Sequence, residues 1–154
     1  ASPVSKENLA IAKSWLASSD EYNLLVNGTA ITAFPVYYQN DLALLRQSLR
    51  IVQAGTEVAE VKGKDLIPAH GLAMSRLLKT SVFPTEALTY EQAIAYLRKE
   101  AIVLPPSVPK GYVLVTYKEI PLGFVKNIGN RANNLYPQEW RIRSGYLPDD
   151  IRTL

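Results

Sequence analysis

Apolar residues recur along the first seventeen positions at helical spacing. Leu9, Ala12 and Leu16 form one stripe, with Ile11 and Trp15 beside it, and Ser5 stands where an N-cap would start a helix running to about Ala17. Two apolar runs, YNLLV and TAITAF, then flank Asn27-Gly28, a dipeptide that favours a tight hairpin because such turns need positive φ. Pro35 stops the second strand, and Asp41 caps a helix through about Leu49 that buries Leu42, Leu45 and Leu49. Ile51 and Val52 begin a strand that Gly55 interrupts and Val58 and Val61 continue to a turn at Lys62-Gly63-Lys64. Pro68 suits the first turn of a helix carrying Leu72, Ala73, Leu77 and Leu78. Residues 79–88 read as a connection. Thr89 and Gln92 have the spacing of a capping box, and Tyr90, Ala93, Ile94 and Leu97 share one face of the helix that follows.

After that helix the period shifts towards two. AIVL reads as a short strand and PPSVPKG as a long turn. GYVLVTY alternates Val113, Val115 and Tyr117 against Tyr112, Leu114 and Thr116, and Lys118-Glu119-Ile120 turns it into PLGFVKNIG. Strict alternation puts Lys126 on the face of Leu122, Phe124 and Ile128, a conflict that either a bulge at Gly123 or a place at the sheet rim would relieve. RANNLYPQEWRIR is expected to leave the sheet and return in a last strand near Trp140–Arg143, with GYLPDDIRTL as a tail. The order of elements predicts an α+β fold: small antiparallel or mixed sheets with packed helices, and no regular βαβ alternation. Two parts are expected, 1–84 as an α+β subdomain and 85–154 as a small β-rich module.

Composition narrows the chemistry. Of 154 residues, 47% are hydrophobic and 20% charged, which is the balance of a folded protein. The chain holds no cysteine, so thiol catalysis, disulfides and cysteine-ligated metals are excluded within it. No apolar run approaches the roughly 20 residues of a membrane helix, and the opening ASPVSKENLA lacks the pattern of a signal peptide. A cytoplasmic location is the expectation. His70, the single histidine, stands at a predicted helix start with no nucleophile-elbow pattern anywhere, so it reads as structural and a hydrolase is not expected.

Charge is placed unevenly. Residues 1–109 hold ten basic and ten acidic side chains, whereas 110–154 hold seven basic against four acidic, so the whole net charge of +3 falls in the last third. There the stretch Pro121–Arg143 sets Lys126, Arg131, Arg141 and Arg143 among four asparagines, Tyr136 and Trp140. Cations of this kind bind phosphates, amides read base edges, and flat rings stack on bases. The expected RNA-contacting residues are Lys126, Arg131, Asn134, Tyr136, Arg141, Arg143 and Lys118, with Lys110 as a further candidate and Trp140 as an alternative stacking ring.

The run PLGFVKNIGNRANNLYPQEWR resembles the RNA-binding PUA-type module of bacterial Nol/Nop/Sun-family rRNA cytosine-5 methyltransferases, through Pro121, Leu122, Gly123, Phe124, Lys126, Gly129, Arg131, Asn134, Tyr136, Pro137 and Arg141. The earlier AGTEVAEVKGKDLIPAHGLAMS resembles the segment joining that module to the catalytic domain, through Ala54, Gly55, Glu60, Lys62, Lys64, Pro68, His70 and Leu72. Phe124 stands where the family commonly has Trp, Asn133 where Lys is frequent, and Trp140 where a smaller aliphatic is usual. The resemblance implies a PUA-like module at 85–154, ribosomal RNA as partner, no DNA and no membrane, and a methyltransferase domain in cis. The family's chemistry needs cysteine thiolates and a site for S-adenosylmethionine. This chain has neither the thiol nor a glycine-rich nucleotide loop, so no catalytic, cofactor-binding or metal-ligating residue is expected in it. The alternative expectation is a protein-interaction or assembly module without RNA contact, which the charge-neutral first 109 residues favour.

Overall fold

The protein was analysed as a computed structural model, which describes residues 3–36 and 55–143. The helix expected at 41–49, the strand start at 51–52 and the tail 145–154 lie outside the described residues. Contacts divide the chain into two compact units, Ala1–Val82 and Phe83–Leu154. Each carries one four-stranded sheet, and helices are few and short among the described residues. No helix among them is long and apolar enough to cross a membrane.

In the first unit, helix α1 (Lys6–Ser14) starts at the expected cap, where the Ser5 hydroxyl accepts from the Asn8 amide at 3.0 Å. Ala12 is buried within the helix, and Trp15 and Leu16 are buried just past its end. Strands β1 (Tyr22–Asn27), β2 (Ala30–Pro35), β3 (Thr56–Lys62) and β4 (Asp65–Pro68) follow as an antiparallel meander in chain order. The first hairpin turns on Gly28-Thr29, one residue later than the sequence suggested, because Asn27 pairs with Ala30 and Gly28 alone takes positive φ, +63°. Ile31, Ala33, Val58, Ala59 and Val61 supply the buried strand residues. Pro68 does not open a helix. It ends β4 opposite Ala59, and helix α2 (His70–Met74) begins two residues later. That helix is shorter than its apolar pattern, because the Ser75 hydroxyl donates back to the Leu72 carbonyl and accepts from the Leu77 amide. Leu77 and Leu78 are still buried, with Leu78 bridged to Leu16.

In the second unit, β5 (Thr85–Ala87) lies parallel to β6 (Gly111–Tyr117), inside what the sequence presented as a connection. Helix α3 (Tyr90–Leu97) carries the complete capping box: the Thr89 hydroxyl accepts from the Gln92 amide at 3.2 Å and the Gln92 side-chain Oε1 accepts from the Thr89 amide at 3.0 Å. Strands β7 (Ile120–Asn127) and β8 (Ala132–Asn134) complete the order β5-β6-β7-β8. Two strand assignments change. Residues 101–104 make a single bridge, Ile102 to Ala132, and bury Ile102 and Leu104 without forming a ladder. The last strand is Ala132–Asn134, in the segment expected to leave the sheet, whereas Gln138–Trp140 is a 3₁₀ turn and 141–143 has no ladder.

The core of this unit joins Ala93 and Tyr96 of α3 to Val113, Val115, Val125 and Ala132 of the sheet, with Leu88, Ile102 and Leu104 closing its edges. α3 therefore covers one face of the sheet. Leu114 and Phe124 point to the other face, where the Phe83 ring meets Phe124 edge-on at 5.0 Å. Burial on both faces is why β6 reads as a nearly continuous apolar run.

Candidate nucleic-acid interface

The position of Lys126 is set by a bulge. β6 and β7 pair one to one from Gly111–Asn127 to Val115–Gly123, but Thr116 then opposes Pro121, which leaves Leu122 as an extra residue. Gly123 accommodates the irregularity with φ of +150°, a backbone state that side chains disfavour. The phase of the strand changes there. Leu122 packs against the core on the α3 side together with Val125, whereas Phe124 and Lys126 share the face away from α3. The bulge takes Leu122 off the face of Lys126, which the lysine still shares with the buried Phe124.

On that outer face Lys126 stands between two cross-strand neighbours, Tyr112 of β6 and Asn133 of β8. Its Nζ lies 5.6 Å from the centroid of the Tyr112 ring, within cation–π range. The β7–β8 ladder continues one step further, where the Ile128 amide donates to the Arg131 carbonyl at 3.0 Å, so Arg131 follows Asn133 in the same column. On the β6 side Lys110 leans over the turn: a Cβ on Gly129 would meet its Cε at 3.2 Å and its Nζ at 3.8 Å. Lys110, Lys126 and Arg131 thus gather with Tyr112 at the open end of the β6–β7 ladder. Lys110 and Arg131 are exposed and Lys126 is half-buried.

Asn127 holds this end together. It is 3% exposed, and its amide nitrogen donates to the Val108 and Pro109 carbonyls at 3.2 and 3.0 Å while its oxygen accepts from the Gly129 amide at 3.2 Å. One side chain ties the proline-rich loop to the 127–131 turn, and the cations on either side inherit that rigidity. An ion pair, Lys62–Glu60 at 3.7 Å, lies in the first unit.

The other expected contacts fall elsewhere. Lys118 occupies the β6–β7 turn, with its Nζ 5.6 Å from the Tyr117 ring centroid. It is six strand positions from Lys126, about 20 Å at the usual rise of a strand. Arg141 and Arg143 lie on the α3 side. The Ile142 amide donates to the Leu97 carbonyl at 2.8 Å, and the two arginines join Arg98, Glu100 and Ile142 around an open pocket of about 270 Å³. The expected single surface therefore divides into two clusters and a lysine at the β6–β7 turn.

Asn134 is occupied within the protein. Its amide nitrogen donates to the Tyr96 and Glu100 carbonyls, both at 2.8 Å, and its oxygen accepts from the Tyr136 amide at 2.9 Å. Both donors are spent, so it clips β8 to α3 rather than reading a base. Tyr136 is half-buried, with its ring 5.4 Å from that of Tyr96 and its carbonyl accepting from Lys99 Nζ. It packs. Trp140, 6.5 Å from Tyr136 between ring centroids, is 59% exposed. Tyr96 is fully buried and donates to the Phe124 carbonyl at 2.9 Å; burial, and secondarily Tyr136, pushes its phenol far above the usual range.

Two residues of these clusters were missed in the sequence. The signal for Tyr112 was present, because it alternates with Leu114 and needs only the β6–β7 register to meet Lys126. Arg98 gave no signal, since its neighbours arrive through the docking of Ile142 on α3. His70 sits at the start of α2, where burial lowers its pKa below the ordinary histidine value, and no group of three or more His, Asp or Glu among the described residues could hold a metal ion.

Comparison with known proteins places the second unit. Residues 83–142 match the family model described as the methyltransferase RsmF PUA domain. The chain is 29% identical over 138 residues to ribosomal RNA small subunit methyltransferase F of Enterobacter sp. (strain 638), an alignment spanning 90% of this chain and 27% of that protein. It is 28% identical over 99 residues to the protein of the same name from Klebsiella pneumoniae (strain 342), spanning 64% of this chain and 20% of that one. The chain thus spans about a quarter of the length of the curated relatives it matches. The same segment holds the bulged strand, the Asn127 clamp and the cluster around Lys126, and over residues 83–142 the chain is similar to the PUA domain of these rRNA methyltransferases.

Proposed function

We propose that this chain binds ribosomal RNA, by the relatives' names that of the small subunit, and positions it for a cytosine-5 methyltransferase domain in cis. The observation that supports this most is the cluster of Lys110, Lys126 and Arg131 around Tyr112, built on paired strands and fixed by Asn127. Three cations at one end of a sheet grip a phosphate backbone, and an aromatic ring beside them offers a stacking surface. The thiolate and S-adenosylmethionine chemistry is assigned to that partner domain, because this chain has no cysteine. Residues 1–84 are proposed to face the partner domain, through the edge strand β1 where Leu25 and Val26 are exposed. A cytoplasmic location goes with this role.

Filter binding to small-subunit rRNA fragments across a salt series tests the reading. The Lys126→Ala/Arg131→Ala protein is expected to bind at least tenfold more weakly with an unchanged melting temperature. Equal binding by both proteins would refute the assigned surface, and capture of a protein partner with no RNA affinity would favour the interaction module.

A further inference from the structure

The pocket at the C-terminal end of α3 has a composition that the fold does not require. Three guanidinium side chains, Arg98, Arg141 and Arg143, line it with one carboxylate, Glu100, so its local charge is +2. Arginines near a helix C-terminus are commonly spent on the last carbonyls. Here those carbonyls have other donors: the Arg98, Lys99, Glu100 and Ile142 amides serve Ile94, Tyr96, Ala95 and Leu97, and Asn134 gives a second bond to Tyr96. The helix end therefore does not need the guanidiniums. Arg98 Nε is buried and makes no hydrogen bond, a donor that a bound oxyanion would satisfy. Trp140 precedes Arg141 directly, about 3.8 Å away between Cα atoms, and is 59% exposed at the end of the 3₁₀ turn.

We propose that Arg98, Arg141 and Arg143 hold a phosphate of single-stranded RNA while Trp140 stacks on an adjacent unpaired base. This nucleotide subsite is separate from the Lys126 cluster, and it rests on the reading that the module binds RNA. The two sites lie on opposite sides of the sheet. Asn133 and Asn134 on edge strand β8 point to alternate faces between them, so a strand leaving Lys126 and Arg131 can pass over β8 to reach Trp140. An RNA bound at both sites is bent around the module's edge, which selects unpaired segments over continuous duplex.

Tryptophan emission of the full chain, titrated with a single-stranded RNA dodecamer, tests the subsite. The chain has two tryptophans, and Trp15 is buried in the first unit. The expected result is saturable quenching that disappears in Trp140→Phe. Arg141→Gln/Arg143→Gln, both at exposed or rim positions, should raise the apparent Kd at least fivefold and lower the salt slope by about 1.4. Arg98→Gln should weaken binding similarly, with circular dichroism melts confirming that each variant is folded. In Lys126→Ala/Arg131→Ala the quenching should persist at higher RNA concentration. Anisotropy that reports binding dependent on Lys126 and Arg131, with unmoved Trp140 emission and wild-type affinity in the arginine variants, overturns the subsite and leaves the first surface standing. No RNA binding by any protein overturns both.

Discussion

Removing Lys126 and Arg131 together changes a slope as well as an affinity, and the slope can be worked from the structure. Each phosphate contact on a single strand contributes about −0.7 to the slope of log affinity against log salt. Lys110, Lys126 and Arg131 together therefore give about −2, and engagement of Arg98, Arg141 and Arg143 would take the total to about −4. Whichever total holds, Lys126→Ala/Arg131→Ala should make the slope shallower by about 1.4. Between 50 and 200 mM salt the ratio of wild-type to variant affinity then shrinks by about sevenfold. The substitutions leave folding intact: Arg131 is exposed, Lys126 is half-buried on the face away from the α3 core, and such surface changes stay within about 0.5 kcal/mol. Fluorescence anisotropy of a labelled single-stranded rRNA fragment, measured at four salt concentrations, gives both lines. Parallel lines would show that neither side chain neutralises a phosphate, and the assignment of this face would fail even if the variant bound more weakly.

Tyr96→Phe deletes the buried hydroxyl that donates to Phe124; the carbonyl keeps the Leu135 amide at 3.2 Å, so the loss should be near 1 kcal/mol, a fall of roughly 4–8 °C in melting temperature. Asn134→Ala should cost more, about 2 kcal/mol, because Glu100 and Tyr96 lose donors and Tyr136 loses an acceptor; RNA affinity at a temperature where the variant is folded should not change, and a large loss there would restore a contact role. Burial lowers the His70 pKa below 6.5, so the unfolded chain takes up the proton first as pH falls, and stability is lost as pH drops below about 6.5 toward the folded value. Urea unfolding at pH 7.5 and 5.5 should show this loss in the wild type and less of it in His70→Gln, and equal losses would discount His70. S-adenosylmethionine should leave the melting curve unchanged, and an upward shift would reveal a cofactor site in this chain.

Local chemistry was readable wherever one or two side chains decide the outcome. The Ser5 cap and the Thr89–Gln92 box formed as written, because each needs only a hydroxyl three residues from an amide. The first hairpin formed with its turn displaced by one residue, since cross-strand pairing rather than the Asn-Gly dipeptide sets the register. The resemblance to a PUA-type module was carried by the spacing of the Pro121–Arg141 residues and agrees with the family match over 83–142. β8 was not legible, because its three residues are a strand only by virtue of β7 on one side and Ile102 on the other. The same limit dispersed the expected surface. Charge counted along a chain says nothing about faces, and the turn from β8 through Pro137 carries Arg141 and Arg143 to the helix side. Asn134 looked like a reader of bases because nothing local reveals that Tyr96 and Glu100 offer it their carbonyls.

The extra residue at Leu122 also dictates which changes of length this chain can survive. Deleting it would close the bulge and leave Lys126 opposite Tyr112, at the cost of the Leu122 contact with the core, whereas losing one residue between Gly123 and Lys126 would set Lys126 opposite Val113, inward against Tyr96 and Ala132. A shortening of the loop at 105–107, three exposed positions ahead of the carbonyls that Asn127 grips, shifts no strand at all. Insertions and deletions among descendants of this module should accordingly accumulate in that loop and be purged from the strand just past the bend, so that the spacing between Gly123 and Lys126 outlasts the identity of most residues around it.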